Sequence, residues 1–183
     1  MKTLYIERST GDCRSGDWVE KLDLDGVGRI VVGTGPGSFA GIRSALAFAQ
    51  GYALGRPCEV FGMPSPCALA AQAYAGGLSP SRRLAVVGDA RRGKLWMACF
   101  CGHRLEREVL LVDADDLVAS LPADCDVVTP DAARIGVGLA EALGARYRGG
   151  DAPTADGLRL FAEACPGVLT PEPLPLYLSP AVR

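Results

Sequence analysis

Between Gly33 and Arg43 the chain carries the residue types of a phosphate cradle, reading Gly-Thr-Gly-Pro-Gly-Ser-Phe-Ala-Gly-Ile-Arg. Glycines permit φ > 0 and close backbone approach, and a helix N-terminus behind them offers unpaired N–H groups to an anion. Two known phosphate loops fail on residue type. A Walker loop places Lys before Ser or Thr at the helix start; here the helix opens Ser38-Phe39-Ala40, with no lysine in loop or helix. A dinucleotide fingerprint needs glycine three residues after Gly35, where Ser38 stands. The other use of these residues is mechanical, a tight strand-to-helix connection packed against a partner, and the sequence favours it. An enzyme built on this loop would take its acid or base from Glu7, Asp89 or Asp113, which nothing in the sequence brings together. His103 is the only histidine, so any two-histidine mechanism is excluded. The seven cysteines (13, 58, 67, 99, 101, 125, 165) include no Cys-x-x-Cys pair. Cys99 and Cys101 share a strand face, but one pair makes no metal site. No catalytic residue, metal or cofactor is expected.

The elements that position the loop follow from pattern. Ile30-Val31-Val32 is a buried strand ending at Gly33. Ser38 caps a helix over 38–54, which Gly55 and Pro57 stop. Phe39, Ile42, Leu46, Ala49 and Ala53 recur at spacings of three and four, giving one apolar stripe. Gly41 and Gly51 each cost the helix about 1 kcal/mol relative to alanine, which points to close helix approach. Arg43 is the helix's one charged residue, so the helix is expected to be covered on most sides.

Elsewhere the pattern predicts strands at Lys2 to Ile6, 58–61, Leu84 to Val87, Leu95 to Cys101, Glu108 to Val112, Asp126 to Thr129 and 145–148. Helices are expected over Pro66 to Tyr74, after a cap at Asp113, over Asp131 to Leu143 and over Thr154 to Cys165. Trp18, Val19, Leu22 and Leu24 suggest a brief element in a polar segment. Leu78 to Ser81 resembles a hinge, dividing the chain into residues 1–79 and 80–183, with a proline-rich tail. From these patterns alone the fold class is α/β with a mixed sheet.

At 183 residues the chain buries roughly 70% of its unfolded surface, enough for one substantial core or two modest lobes. A net charge of −2 argues against a stand-alone nucleic-acid binder, which shows a basic footprint. Arg82-Arg83 and Arg91-Arg92 with Lys94 are small basic groups read as solvated faces. The first residues are too polar for a signal peptide, no run approaches the ~18 apolar residues of a membrane span, and the odd, scattered cysteines suit a reducing compartment. A cytoplasmic location is expected.

The run Gly33 to Arg43, continued by Gln50-Gly51 and Gly55, resembles the TsaB (YeaZ) family. Asp89-Ala90-Arg91-Arg92-Gly93 with Leu95-Trp96 is similar to that family's hairpin, and Pro175-Leu176-Tyr177-Leu178 to its C-terminal motif. The resemblance implies a two-lobed RNase H-like fold of the actin/Hsp70 type (ASKHA). It also implies a non-catalytic dimerisation subunit of the machinery that makes threonylcarbamoyladenosine (t6A) in tRNA. Its partners would be a TsaD-like catalytic subunit and a TsaE-like ATPase, with tRNA met only through the complex and a homodimer when alone. The pairing surface would be carried by Phe39, Ile42, Ala45 and Ala49. Gly33, Gly35, Pro36, Gly37, Ser38, Gly41 and Arg43 would form the turn and helix start.

The chain departs from the family early. Residues between Glu7 and Gly28 are too few for the family's second and third strands and first long helix, so the N-terminal lobe is truncated. Glu7-Arg8 stands where active relatives carry the acidic residue that helps bind metal and ATP phosphates, which argues against nucleotide binding. Two other readings remain open at this point: a small nucleotide-binding enzyme using Gly33 to Ser38, and a homodimeric binding protein without a role in tRNA modification.

Overall fold

The computed structural model describes residues 1–10 and 18–178; Cys13 and the last five residues lie outside them. Two sheets face each other across a layer of helices. The first has the order β1 (Lys2–Ile6), β2 (Val27–Gly33), β3 (Glu59–Met63), β9 (Thr170–Pro171), with β1, β2 and β3 parallel and β9 antiparallel. The second has the order β6 (Arg104–Asp113), β5 (Lys94–Cys101), β4 (Arg83–Arg91), β7 (Cys125–Thr129), β8 (Tyr147–Gly150). Strands β4 to β6 form an antiparallel meander, and β7 and β8 extend it in parallel. A meander followed by parallel strands is the RNase H-like order. Among the described residues β1 and β9 lie at the two edges of the first sheet.

Side-chain alternation explains the layering. Along β2, Ile30 and Val32 turn to helix α1 (Phe39–Ala53), meeting Ile42, Ala45, Leu46 and Ala49. Val31 turns the other way, into the layer formed by α2 (Pro66–Ala75) and α5 (Ala155–Ala164). The second sheet behaves likewise. Trp96, Ala98 and Phe100 face that inner layer, whereas Met97 and Cys99 face α3 (Leu117–Ser120) and α4 (Ala132–Leu143). Phe100 and Phe161 meet edge to face at 5.7 Å in the middle of the molecule. Full burial of each contributes roughly 1.5–3 kcal/mol.

Several sequence expectations change in detail. Strand β4 runs from Arg83 through Arg91 and β6 from Arg104 through Asp113, so the meander is longer than its apolar runs. Asp113 caps no helix: its carboxylate takes the Lys94 ammonium at 2.8 Å, and only a 3₁₀ turn and the four-residue α3 follow. Trp18 and Leu22 pack against the α1 side of the first sheet, Trp18 edge-on to Phe48 at 5.4 Å. His103 is half-buried in the β5–β6 turn, where its ring lies 5.9 Å from that of Tyr74 and 5.6 Å from that of Phe161.

Candidate functional site

The strand–turn–helix motif sits at the mouth of a cleft of about 730 Å³ between the two sheets. On one side are Pro36, Gly37, Ser38 and Phe39; on the other are Asp89, Arg91, Trp96, Asp131 and Arg134, with the tail at Leu176 to Leu178 across the end. Ser38 caps α1 as its position predicts, accepting the Gly41 N–H at 3.3 Å. Leu54 ends the helix, and Gly55 follows at φ 71°.

Three of the loop's donors are engaged inside the protein. Thr34 N–H donates to the Met63 carbonyl (2.9 Å), Gly35 N–H to Ser65 Oγ (3.1 Å) and Ser38 N–H to the Ser9 carbonyl (2.6 Å). Gly37 has φ 155°, and a Cβ on it would run into the Ser9 backbone. Gly33 and Gly37 are thus accounted for by packing on Glu7 and Ser9, and Gly35 by its φ of 90° and the closeness of Ile42. An anion arriving here would have to displace those contacts.

The acids of the enzyme reading are not assembled into a catalytic group. Asp89 accepts the Arg91 N–H (2.7 Å) and pairs with Arg134 Nε (2.9 Å), so it holds its own hairpin. Asp131 accepts the Asp89 N–H (2.9 Å) and also binds Arg134. Asp113 lies with Lys94, away from the cleft lining. Glu7 sits beneath the loop: Oε1 takes the Ser9 N–H at 2.6 Å, while Oε2 is buried against Gly33 and Ser65. Burial pushes the Glu7 pKa up, against the opposing pull of its hydrogen bonds. The cations and anions of the cleft therefore neutralise one another. Among the described residues no group of three or more His, Cys, Asp and Glu is placed to hold a metal ion.

Of the four residues expected to carry a pairing surface, Ile42, Ala45 and Ala49 are buried in the chain's own core. Phe39 departs from the apolar stripe and is 57% exposed. Its ring lies 5.8 Å from that of Tyr177, and the Arg43 guanidinium lies 4.6 Å over it, a cation–π arrangement. The tail is held there by Leu176 N–H donating to the Thr34 carbonyl at 2.9 Å.

The expectation of cover on most sides of α1 does not hold for the chain alone. Ala40, Ser44, Ala47 and Gly51 form an exposed stripe at helical spacing, with exposed Phe39 at one end and Leu54, 78% exposed, at the other. Ile42, Ala45 and Ala49 lie on the opposite, buried face of the helix. The small-residue face was legible in the same run, as the positions between the large ones.

Comparison with known proteins adds independent observations. The family model for TsaD, tRNA N6-adenosine threonylcarbamoyltransferase, matches residues 19–118, more than half of the chain. The fold is similar to the crystal structure of an uncharacterized protein with similarity to peptidase YeaZ from Pseudomonas aeruginosa. That match has 26% identity and a TM-score of 0.64, covering 89% of this chain and 79% of that one. It is also similar to YeaZ from Pseudomonas aeruginosa, with 25% identity and a TM-score of 0.64 over 88% and 79% of the two chains. None of the curated proteins matches the chain. Among the described residues no helix is long and apolar enough to cross a membrane.

Proposed function

The chain belongs to the TsaD, tRNA N6-adenosine threonylcarbamoyltransferase, family, and from that membership we propose that it serves tRNA threonylcarbamoylation as a scaffold without chemistry of its own. Its likeness to the YeaZ structures supports a TsaB-like role in the t6A machinery. In this reading it pairs with a TsaD-like catalytic subunit, works beside a TsaE-like ATPase in the cytoplasm, and meets tRNA only through the complex. Residues 1–79 form the reduced lobe and 80–183 the second, with the tail returning to the first sheet through β9.

The observation that carries the proposal is the exposed face of α1. Ala40, Ser44, Ala47 and Gly51 present almost no side-chain bulk, so another helix can approach its backbone closely. Phe39 and Leu54 offer apolar anchors at the two ends, and affinity depends on a few well-packed anchors more than on area. The engagement of the Thr34, Gly35 and Ser38 N–H groups inside the chain, with no lysine in the loop, weighs against the nucleotide-dependent enzyme.

Co-purification with the TsaD of the same cell tests the scaffold reading. Recovery that is lost on Ala47→Arg supports it. Recovery indifferent to that change removes α1 from the interface, and no recovery favours a homodimeric protein outside tRNA modification. Calorimetric titration with ATP and Mg²⁺ is expected to show no micromolar site; one that disappears in Gly35→Val would restore the enzyme.

A further inference from the structure

A second cavity, of about 590 Å³, opens on another face, where the end of α2 and its linker to β4 meet β7 and β8. Leu69, Ala73, Leu78 and Val128 supply its apolar wall, and Arg82 and Arg148 its charge. Both arginines are locked from behind by one fully buried carboxylate. Arg82 Nε donates to Asp126 Oδ2 and Arg148 Nε to Asp126 Oδ1, each at 2.8 Å.

This arrangement leaves charge and donors over. A single arginine would neutralise Asp126, yet two are held on it, so the cluster carries one net positive charge beside the cavity. Each guanidinium uses only Nε, and its terminal nitrogens have no partner among the described residues. Two like charges gathered on one carboxylate repel, and a second anion at their outer side would relieve that. Planar guanidinium forks suit carboxylate and phosphate oxygens. The other charge at the cavity, Asp151, keeps its negative charge on the same lining, is hydrogen-bonded by neutral donors and ion-pairs with neither arginine. Its Oδ2 accepts Gln72 Nε2 (3.1 Å) and its Oδ1 the Ala152 N–H (2.8 Å).

We propose that this cavity is a binding site for a small oxyanion with a compact apolar body, its anionic end on the terminal nitrogens of Arg82 and Arg148 and its body on Leu69, Ala73, Leu78 and Val128. The site is separate from the docking face of α1 and does not depend on the scaffold reading.

The test is titration of the full-length protein with inorganic phosphate and, separately, with butyrate, following the arginine Nε–Hε resonances by NMR. Saturable shifts are expected at Arg82 and Arg148 but not at Arg83, which pairs with Glu106 outside the cavity. The anion that saturates first tells a phosphate-bearing ligand from a carboxylate-bearing one. Ser79→Glu adds a negative charge at the exposed rim without touching the Asp126 lock, and should weaken binding about tenfold or more. Arg148→Met should do the same, with folding checked by thermal melting. Absence of saturation with both anions overturns the proposal, as does saturation unchanged in both variants.

Discussion

The carboxyl of Glu7 lies so close over the backbone of Gly33 that a Cβ on the glycine would collide with Oε2. Strand β2 therefore needs glycine at its end because of what β1 places beside it. Gly33→Ala is expected to cost about 1–3 kcal/mol by overpacking. Pairing it with Glu7→Ala should recover part of that cost, as measured by urea denaturation.

The same burial gives Glu7 a pH signature. Its pKa in the fold is raised above the ordinary 4.5, first by burial, so the folded state holds the proton that the unfolded state releases. Stability from the neutral form is present below the unfolded value and falls as pH rises towards the folded value, by at most about 1.4 kcal/mol per pH unit. Glu7→Gln cannot ionise, so its stability relative to wild type should increase as pH rises above the unfolded value. A constant difference above that value would mean that the buried carboxylate is accommodated as an anion.

Asp126 should behave in the opposite sense. Burial works against its charge, but hydrogen bonds from Arg82 and Arg148, with their charges, hold its pKa below the ordinary 3.8. Its contribution is present above the unfolded value and lost as pH falls through the folded one. Because both arginines are half exposed and can rehydrate, Asp126→Asn should cost about 1–3 kcal/mol rather than the larger penalty of a fully buried pair. Acid unfolding of the variant, compared with wild type, should show a shallower loss of stability.

What the sequence made legible follows the range of the interactions. The β2–loop–α1 unit was readable because the β-branched run, the glycines, the Ser38 cap and Gly55 act within a few residues. The family motifs then supplied the two-sheet frame, which local pattern alone did not. Contacts between distant segments were not readable: Ser65 Oγ accepts the Gly35 N–H, and Lys94 takes Asp113 from its cap. Arg82 looked like a solvated charge until β7 brought Asp126 to it. Tyr177 lay in a recognised motif, but only the folded tail brings its ring to Phe39.

The two faces of α1 give separable outcomes. Ala49 is fully buried under β2, so Ala49→Arg places an unpaired charge in the core and should unfold the protein. Ala47 is exposed, and Ala47→Arg should change stability by no more than about 0.5 kcal/mol. Near-UV circular dichroism separates the two. Pairing with TsaD should be lost in the second variant although its fold is intact.

Gly51→Ala sets stability and association against each other. Gly51 lies inside α1 on the exposed stripe, and a Cβ there would meet nothing within 4 Å in the chain itself. In the isolated protein the change removes a helix-breaking residue and lowers the entropy of the unfolded chain, so stability should rise by about 0.5–1 kcal/mol. If another helix approaches along Ala40, Ser44, Ala47 and Gly51, the added methyl falls in that contact. It should then cost about 1–3 kcal/mol of binding by overpacking. Thermal melting and calorimetric titration against TsaD measure the two quantities on one sample. Higher melting with weaker binding is the result expected of a docking face. Higher melting with unchanged binding would leave Gly51 outside the contact and confine it to the end of the helix nearer Phe39.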